Sequence, residues 1–350
     1  MGFSVLQSNR REFLRSALVI PAMPLLAAPA RERIPDELKT PHKTNRLVIA
    51  PSEEAGTFDH QGADAPFVFR HEESFYMTYI GFDGEGYQTG LASSSNLLDW
   101  QKEGVIIRRD PENPVTRYNV ALTWILRENG VFAPGRLKQV RGKFLGVYHA
   151  YPKPGYEEGP AVIGLAWSPD LRQWELTAPF LRPENGQPWE QGGLYKACLV
   201  EHLGTYYLFY NAKTRGKSWH EQTGFATSKD LKVWKRFEGN PVVRNGPRGS
   251  VDEIFASDPC VLHYADGWAI FYYSLDAKGV ARDRLALSPD LRRVNKCDGV
   301  LIDVGPAGSV DSKYAHKPAI IFHNKTLYHF YCAFSPEFGR GISVATSKPV

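Results

Sequence analysis

Cysteine is scarce, methionine scarcer, and charge of either sign is nearly balanced. The 350 residues hold 4 Cys and 3 Met, and 42 Lys and Arg face 38 Asp and Glu for a net charge of +4. No Cys-x-x-Cys or other metal-ligand spacing occurs, which excludes a zinc module or a dithiol redox centre. Cys198 and Cys260 occupy one column of adjacent repeats on apolar strands and read as buried free thiols. Basic residues are scattered through turns, so no nucleic-acid footprint forms. Beyond the first 30 residues no apolar run is long enough to cross a bilayer as a helix, and the repeats described next show no helical period.

The N-terminus is a distinct segment. Asn9-Arg10-Arg11-Glu12-Phe13-Leu14-Arg15 resembles a twin-arginine export signal, an apolar run from Ser16 to Ala28 follows, and Ala28-Pro29-Ala30 is a fitting cleavage site. Residues 1–30 are read as a signal peptide, 31–44 as a linker and 45–350 as one domain. The expected location is periplasmic or extracellular.

What is abundant is repetition. Ala92-Ser-Ser-Ser-Asn-Leu-Leu-Asp-Trp100 recurs as Ala166-Trp-Ser-Pro-Asp-Leu-Arg-Gln-Trp174, Ala226-Thr-Ser-Lys-Asp-Leu-Lys-Val-Trp234 and Ala286-Leu-Ser-Pro-Asp-Leu-Arg-Arg-Val294, and a clipped copy starts at Ala345. The steps are 74, 60, 60 and 59 residues. A period of this size marks units that bury their apolar faces only against neighbours. Between the turns lie strand–turn–strand patterns such as Phe75-Tyr-Met-Thr-Tyr79 and Tyr206-Tyr-Leu-Phe-Tyr210. The reading is an all-β, five-bladed β-propeller. The chain stops after the third strand of unit five. Arg46-Leu-Val-Ile-Ala-Pro51 matches the fourth-strand sequences Gly299-Val-Leu-Ile-Asp303 and Asn240-Pro-Val-Val-Arg244, so an N-terminal strand closes the ring on the last blade.

The innermost strand of each blade starts near the axis, so the residues just before it should converge. Registered this way, one column holds Asp64, Pro134, Lys196, Asp258 and Lys317, and the column before it holds Ala63, Tyr195, Ser257 and His316. Carboxylates and amines in one place are not what a dry core tolerates unpaired. A ring of salt bridges plugging the channel is the bland account; a catalytic mouth is the sharper one. An acidic position further upstream holds Asp59, Glu190, Asp252 and Asp311, where repetition favours a turn-capping role. Glu190 and Glu253 depart from that repeat and remain candidate acids. The outer-turn aspartates Asp170, Asp230 and Asp290 read as turn chemistry, and Trp100, Trp174 and Trp234 as packing between blades.

These features resemble the five-bladed propeller glycoside hydrolases, the broad group of families 32, 43, 62, 68, 117 and 130. The resemblance spans residues 45–350 and rests on the period, the Ser-x-Asp-Leu-x-x-Trp turns, Asp64-Ala-Pro and Asp258-Pro. It implies that Asp64 is the general base or nucleophile. The chain departs from family 43, carrying Lys196-Ala-Cys and Ser257-Asp258-Pro where that family has Asp-Pro and Glu-Gly-Pro. Family 117 is similar in position, and implies a set of Asp64, Asp258 and a histidine acid, His316. The resulting assignment is Asp64 as base, Asp258 as orienter, and His316 or Glu253 as acid, with inversion of configuration. Lys196, Lys317 and Arg136 are assigned to substrate oxygens, with Glu190 and Trp124 as further contacts. Trp124 and Tyr118 lie in an excursion, Arg108 to Val131, expected to wall the cleft, and Trp219 and His220 lie in a second loop, Thr214 to Gln222. Three cations favour a carbohydrate with an anionic group. No cofactor is required, although a channel cation such as calcium is compatible. A glycoside phosphorylase, a non-catalytic sugar-binding propeller, a lactonase with a channel cation and an interaction propeller stand as alternatives.

Overall fold

The computed structural model describes residues 32–216 and 219–350, and the leader reading therefore lies outside the described residues. Among the described residues, twenty-one strands and two short 3-10 turns form five antiparallel blades, four of them four-stranded and blade two five-stranded. A first short strand, β1 (His42–Lys43), precedes blade one, which is β2 (Gly62–His71), β3 (Ser74–Phe82), β4 (Tyr87–Ser94) and β5 (Gln101–Ile107). Blade two is β6 (Ala121–Ile125), the short β7 (Gln139–Val140), β8 (Lys143–Ala150), β9 (Val162–Ser168) and β10 (Glu175–Leu176). Blade three is β11 (Gly193–His202), β12 (Thr205–Lys213), β13 (Glu221–Ser228) and β14 (Lys235–Arg236). Blade four is β15 (Phe255–Tyr264), β16 (Gly267–Leu275), β17 (Ala281–Ser288) and β18 (Asn295–Lys296). Blade five is β19 (Tyr314–His323), β20 (Thr326–Ser335) and β21 (Gly339–Thr346), completed by β1.

Ring closure follows the match read from the sequence, with one shift. The regular pairing is His42 with Thr346 and Lys43 with Ala345, and Ile49 then bridges Ile342. Val243 on Thr223 and Ile302 on Asp283 make the same bridge in blades three and four. Residues 32–44, expected as a linker, are instead part of the body. Leu38 is fully buried, Thr40 nearly so, and Arg33 bridges Asp298. Burying those side chains against blades four and five is what seats the closing strand.

First strands are buried along almost their whole length, as in β2, where Gly62 to Phe69 are all inaccessible. They are packed on both faces, which is why they read as apolar runs rather than alternating strands. The outer turns repeat as expected. Ser94, Ser168 and Ser228 each accept the backbone N–H of the leucine three residues on, and those leucines adopt left-handed backbone and are buried. Trp100 and Trp174 donate to the carbonyls of Leu97 and Leu171. All four cysteines are free and buried.

Blade two corrects the alignment. Its first strand is β6, and Pro134 belongs to an insertion between β6 and β7. The segment from Leu126 to Lys138 crosses the end of the wheel opposite the strand starts. Arg136 bridges Arg70 of blade one, Asn129 reaches Glu201 of blade three, and Gly130 pairs with His263 of blade four. Arg127 points inward and donates to the carbonyls of Val68 and Ile320, both at 2.7 Å. Gly135 is held at φ +72°, and a Cβ there would sit 2.8 Å from that guanidinium. The segment caps one end of the channel. Only the end where the first strands begin is left for chemistry.

Candidate active site

Each first strand is interrupted near its start by a bulge. The register skips between Asp64 and Phe67, Tyr195 and Cys198, Ser257 and Cys260, and His316 and Ala319. The first extra residue is Ala65, Lys196, Asp258 or Lys317, each non-glycine and each at positive φ, from +46° to +69°. A bulge re-aims a side chain out of the ladder, and non-glycine residues hold such backbone only where the surroundings enforce it. The column drawn from the sequence is therefore right for three blades and one residue off in blade one. Asp64 stands level with Tyr195, Ser257 and His316. Matching Asp64 to Asp258 by type slips the Asp-Ala-Pro of blade one against the Asp-Pro of blade four.

Asp64 is buried and enclosed by donors. Its Oδ2 accepts Lys317 Nζ at 2.8 Å, Arg340 at 3.2 Å and a short bond from the Tyr156 hydroxyl, and its Oδ1 accepts the N–H of Ala65. Burial alone would raise its pKa; Lys317 and Arg340 outweigh this and hold it well below the usual carboxylate range. Asp64 is thus the counter-ion that positions two cations.

Above it lies a hollow of about 290 Å³, lined by Tyr156, Glu157, Tyr195, Trp219, Glu221, Asp258, Tyr273, His316, Lys317 and Arg340 among others. Three carboxyl groups face this space. Glu221, at the start of β13, is 2% exposed. Its Oε1 accepts Trp219 Nε1 at 2.8 Å and the Tyr195 hydroxyl, and its Oε2 accepts Asn211 at 3.2 Å. Burial, then the charges of Glu157 and Asp258, push its pKa up to about 8 despite those donors. Asp258 rises to about 7, through burial opposed by Lys317 and Lys196. Glu157 sits on the loop after β8, held at φ +67°, with its carboxylate 3.4 Å from Lys317 Nζ and its carbonyl accepting Lys213 Nζ.

The sequence-derived set divides. Asp258, His316 and Lys317 line the hollow, and Asp64 lies directly behind Lys317. Lys196 is buried beside them, its Nζ 3.5 Å from the carbonyl of Pro66. His316 does not suit an imidazolium acid: its Nδ1 meets the carbonyl of Cys332 at 3.2 Å, and burial followed by Lys317 lowers its pKa to about 3. The neutral ring donates from Nδ1 and presents Nε2 as an acceptor. Four assigned residues lie elsewhere. Glu253 binds the N–H of Gly249 in an exposed turn. Arg136 is exposed on the capped end. Trp124 is buried against Phe67 and Arg127, because β6 is a core strand rather than a cleft wall. Glu190 is taken up in its blade by Tyr210 and Arg236.

Glu190 belongs to a staple repeated in four blades. Asp59, Glu190, Asp252 and Asp311 accept the hydroxyls of Tyr79, Tyr210, Tyr272 and Tyr331, at 2.6 to 3.1 Å. Each also pairs with a cation at or beside its fourth strand, namely Lys102, Arg236, Lys296 and Lys43. Glu157, Glu221, Tyr156 and Arg340 were not picked out by sequence. Glu221 had a signal: its place in the third strand is Tyr87, Ala281 and Arg340 in other blades. A carboxyl at a buried site where the repeat carries none is a departure worth reading.

A bound channel cation would have to displace protein charges, since Lys317 and Arg340 already occupy Asp64. Among the described residues no group of three or more His, Cys, Asp or Glu side chains is arranged to hold a metal ion. No described helix is long and apolar enough to cross a membrane.

Comparison with known proteins agrees with this architecture. The family described as "Glycosyl hydrolases family 32 N-terminal domain" matches residues 133–287. A 1,2-beta-oligomannan phosphorylase of Thermoanaerobacter sp. (strain X514) is 26% identical over 126 residues, which spans 35% of this chain and 33% of that protein. The chain therefore matches about a third of that relative's length. The solved structure of BT0996 in complex with RGII is similar at 31% identity and a TM-score of 0.79, covering 90% of this chain and 94% of that one. A second solved structure, described as a glycoside hydrolase, has 29% identity, the same TM-score and the same coverage.

Proposed function

The chain belongs to the five-bladed β-propeller glycoside hydrolases, and from that premise we propose that it hydrolyses a glycosidic bond with Glu221 as general acid and Glu157 as its carboxylate partner. The observation that carries this is Glu221, a buried carboxyl opening into the hollow with a pKa near 8. Such a group still holds its proton at neutral pH, which protonation of a leaving oxygen requires. Its O–H bond breaks, the proton passes to the glycosidic oxygen, and the electron pair of the carbon–oxygen bond stays with the leaving sugar. Water supplies the hydroxyl that completes the released sugar, and its other proton goes to Glu157. Asp258, in this reading, keeps Glu221 protonated by its nearby charge. His316 accepts a substrate hydroxyl through Nε2, and Lys317 holds Glu157 in place.

Phosphorolysis is the second reading, favoured by the likeness to the oligomannan phosphorylase. Against it, Lys317 and Arg340 are both engaged by Asp64, and three carboxyl groups share the hollow. A phosphate dianion would meet repulsion there. The same engagement weighs against a strongly anionic sugar. The substrate to try first is an RGII oligosaccharide, after the ligand named with the similar structure. Export to the periplasm or beyond is part of the proposal and rests on the leader sequence.

The test is turnover of RGII oligosaccharide, of β-1,2-oligomannan and of a panel of 4-nitrophenyl glycosides, with and without orthophosphate. Release of free sugar from an oligosaccharide without phosphate, strongly reduced in Glu221→Gln, supports hydrolysis. Release of a sugar 1-phosphate only when phosphate is present overturns it.

A further inference from the structure

A second, more open hollow of about 730 Å³ adjoins the inner one and shares Glu157 and Trp219 with it. Its other walls include Glu158, Pro160, Glu184, Gly192, Lys213 and Arg215. No step of the proposed reaction uses it. Trp219 is its most distinctive wall: 41% exposed, where Trp124, Trp189 and Trp268 are buried. The ring is fixed despite this exposure. Lys213 Nζ sits 4.3 Å from its centroid, the Phe255 ring lies 5.9 Å away, and the indole N–H is bonded to Glu221.

An acid that protonates a glycosidic oxygen must stand beside the sugar that leaves on that oxygen. The inner hollow is small and partly enclosed, with room for one sugar ring. The leaving sugar therefore extends past Glu221, and the way out is along Trp219. We propose that the outer hollow is the leaving-group subsite, that it binds an uncharged saccharide stacked on the face of Trp219, and that the indole N–H links its occupancy to the orientation of Glu221. The proposal rests on the hydrolase reading above.

The chemistry of the walls fits that ligand class. Glu157, Glu158 and Glu184 are offset by Lys213 and Arg215, a mixed set that supplies both donors and acceptors for hydroxyl groups and gives a polyanion no net attraction. A partly exposed indole offers an apolar face to the C–H side of a sugar ring while its polar edge stays bonded. Trp219 is a positioning residue, because it acts on the reaction through Glu221. The groups facing Glu221 from other elements are Tyr151, Glu157, Tyr195, Asn211, Lys213, Ser257, Asp258 and Tyr273; of these Lys213 stacks on the indole and keeps an aromatic partner in Trp219→Phe.

Two variants separate stacking from hydrogen bonding. Trp219→Ala removes the platform. It should lower kcat/KM for the RGII oligosaccharide about tenfold or more, while the 4-nitrophenyl glycoside of the same sugar, whose leaving group needs neither platform nor proton, changes by less than about threefold on the same energy scale. Trp219→Phe keeps an aromatic face and loses the N–H. It should leave KM for the oligosaccharide near that of the wild type and move the alkaline limb of the rate profile to higher pH, since a donor to the carboxylate has gone. Equal losses on both substrates in Trp219→Ala, or an unmoved limb in Trp219→Phe, would overturn the proposal. If the wild type cleaves neither substrate, hydrolysis fails and the subsite is judged by binding. Titration with the oligosaccharide should then quench tryptophan fluorescence in the wild type and not in Trp219→Phe; no difference between them rejects the subsite.

Discussion

Two regions of this wheel are built from the same three residue types and behave in opposite ways. In the blade staples an acid meets a tyrosine hydroxyl and a Lys or Arg, as Asp252 meets Tyr272, Lys296 and Arg284. At the mouth Glu221 meets the Tyr195 hydroxyl, but the charges that act on it most strongly are the carboxyl groups of Glu157 and Asp258. Asp252 is held below its ordinary pKa, with cations outweighing burial, whereas Glu221 is driven up to about 8. A cation bonded directly to the carboxylate therefore marks the buried acid that is structural, and its absence the one that can be reactive. Asp64 sharpens the point. It lies at the mouth, yet with Tyr156, Lys317 and Arg340 it reproduces a staple turned toward the axis.

The largest expected difference is in turnover. Glu221→Gln should lower kcat by about 10²–10⁴ without lowering the unfolding midpoint at neutral pH, since an amide escapes the cost of keeping a buried carboxyl protonated, as steady-state kinetics and thermal melts would show. Next comes a staple. Asp252→Ala removes the anion shared by Arg284 and Lys296 and should cost about 3–5 kcal/mol in denaturant unfolding, while the fraction that folds keeps its kcat. If Asp252→Ala instead abolished turnover in fully folded protein, the division between the two regions would fail.

Asp64→Asn should fall between these, with kcat down about 10–100-fold, less than a full acid–base loss, because Lys317 loses its main anion and Glu157 its fixed partner. A loss as deep as that of Glu221→Gln would return Asp64 to the role of base. Smallest is an outer turn: Ser228→Ala removes the acceptor for the N–H of Leu231 and should cost about 1 kcal/mol with no kinetic effect.

The fold was legible because repetition is a property of sequence. The Ser-x-Asp-Leu turns gave the blade count, and Ile49, Val243 and Ile302 aligned the closing strand correctly. The site was less legible for a related reason. Aligning repeats directs attention to columns that recur, so Glu190, a staple acid, attracted interest while Glu221 and Glu157, which recur nowhere, did not. Blade two was misread because its insertion contains Pro134-Gly-Arg-Leu-Lys138, a strand-like run that in fact bridges the capped end of the channel. Trp124 was drawn into the cleft by the same slip. The type of a residue at a repeat position was visible; its counter-charge, set by loops from other blades, was not.

Protonation of Glu221 also links activity to stability. Its pKa is raised from 4.5 to about 8 on folding, so its contribution to stability is fully present below 4.5 and is lost as pH rises through 8. The most direct measurement is the pH dependence of kcat/KM on the cleaved oligosaccharide, whose leaving sugar needs the proton, for the wild type and Glu221→Gln. The wild type should lose rate on an alkaline limb centred near pH 8, and the residual rate of Glu221→Gln should show no such limb. A limb that persists unchanged in Glu221→Gln, or a variant as fast as the wild type, would contradict the assignment of Glu221 as the acid.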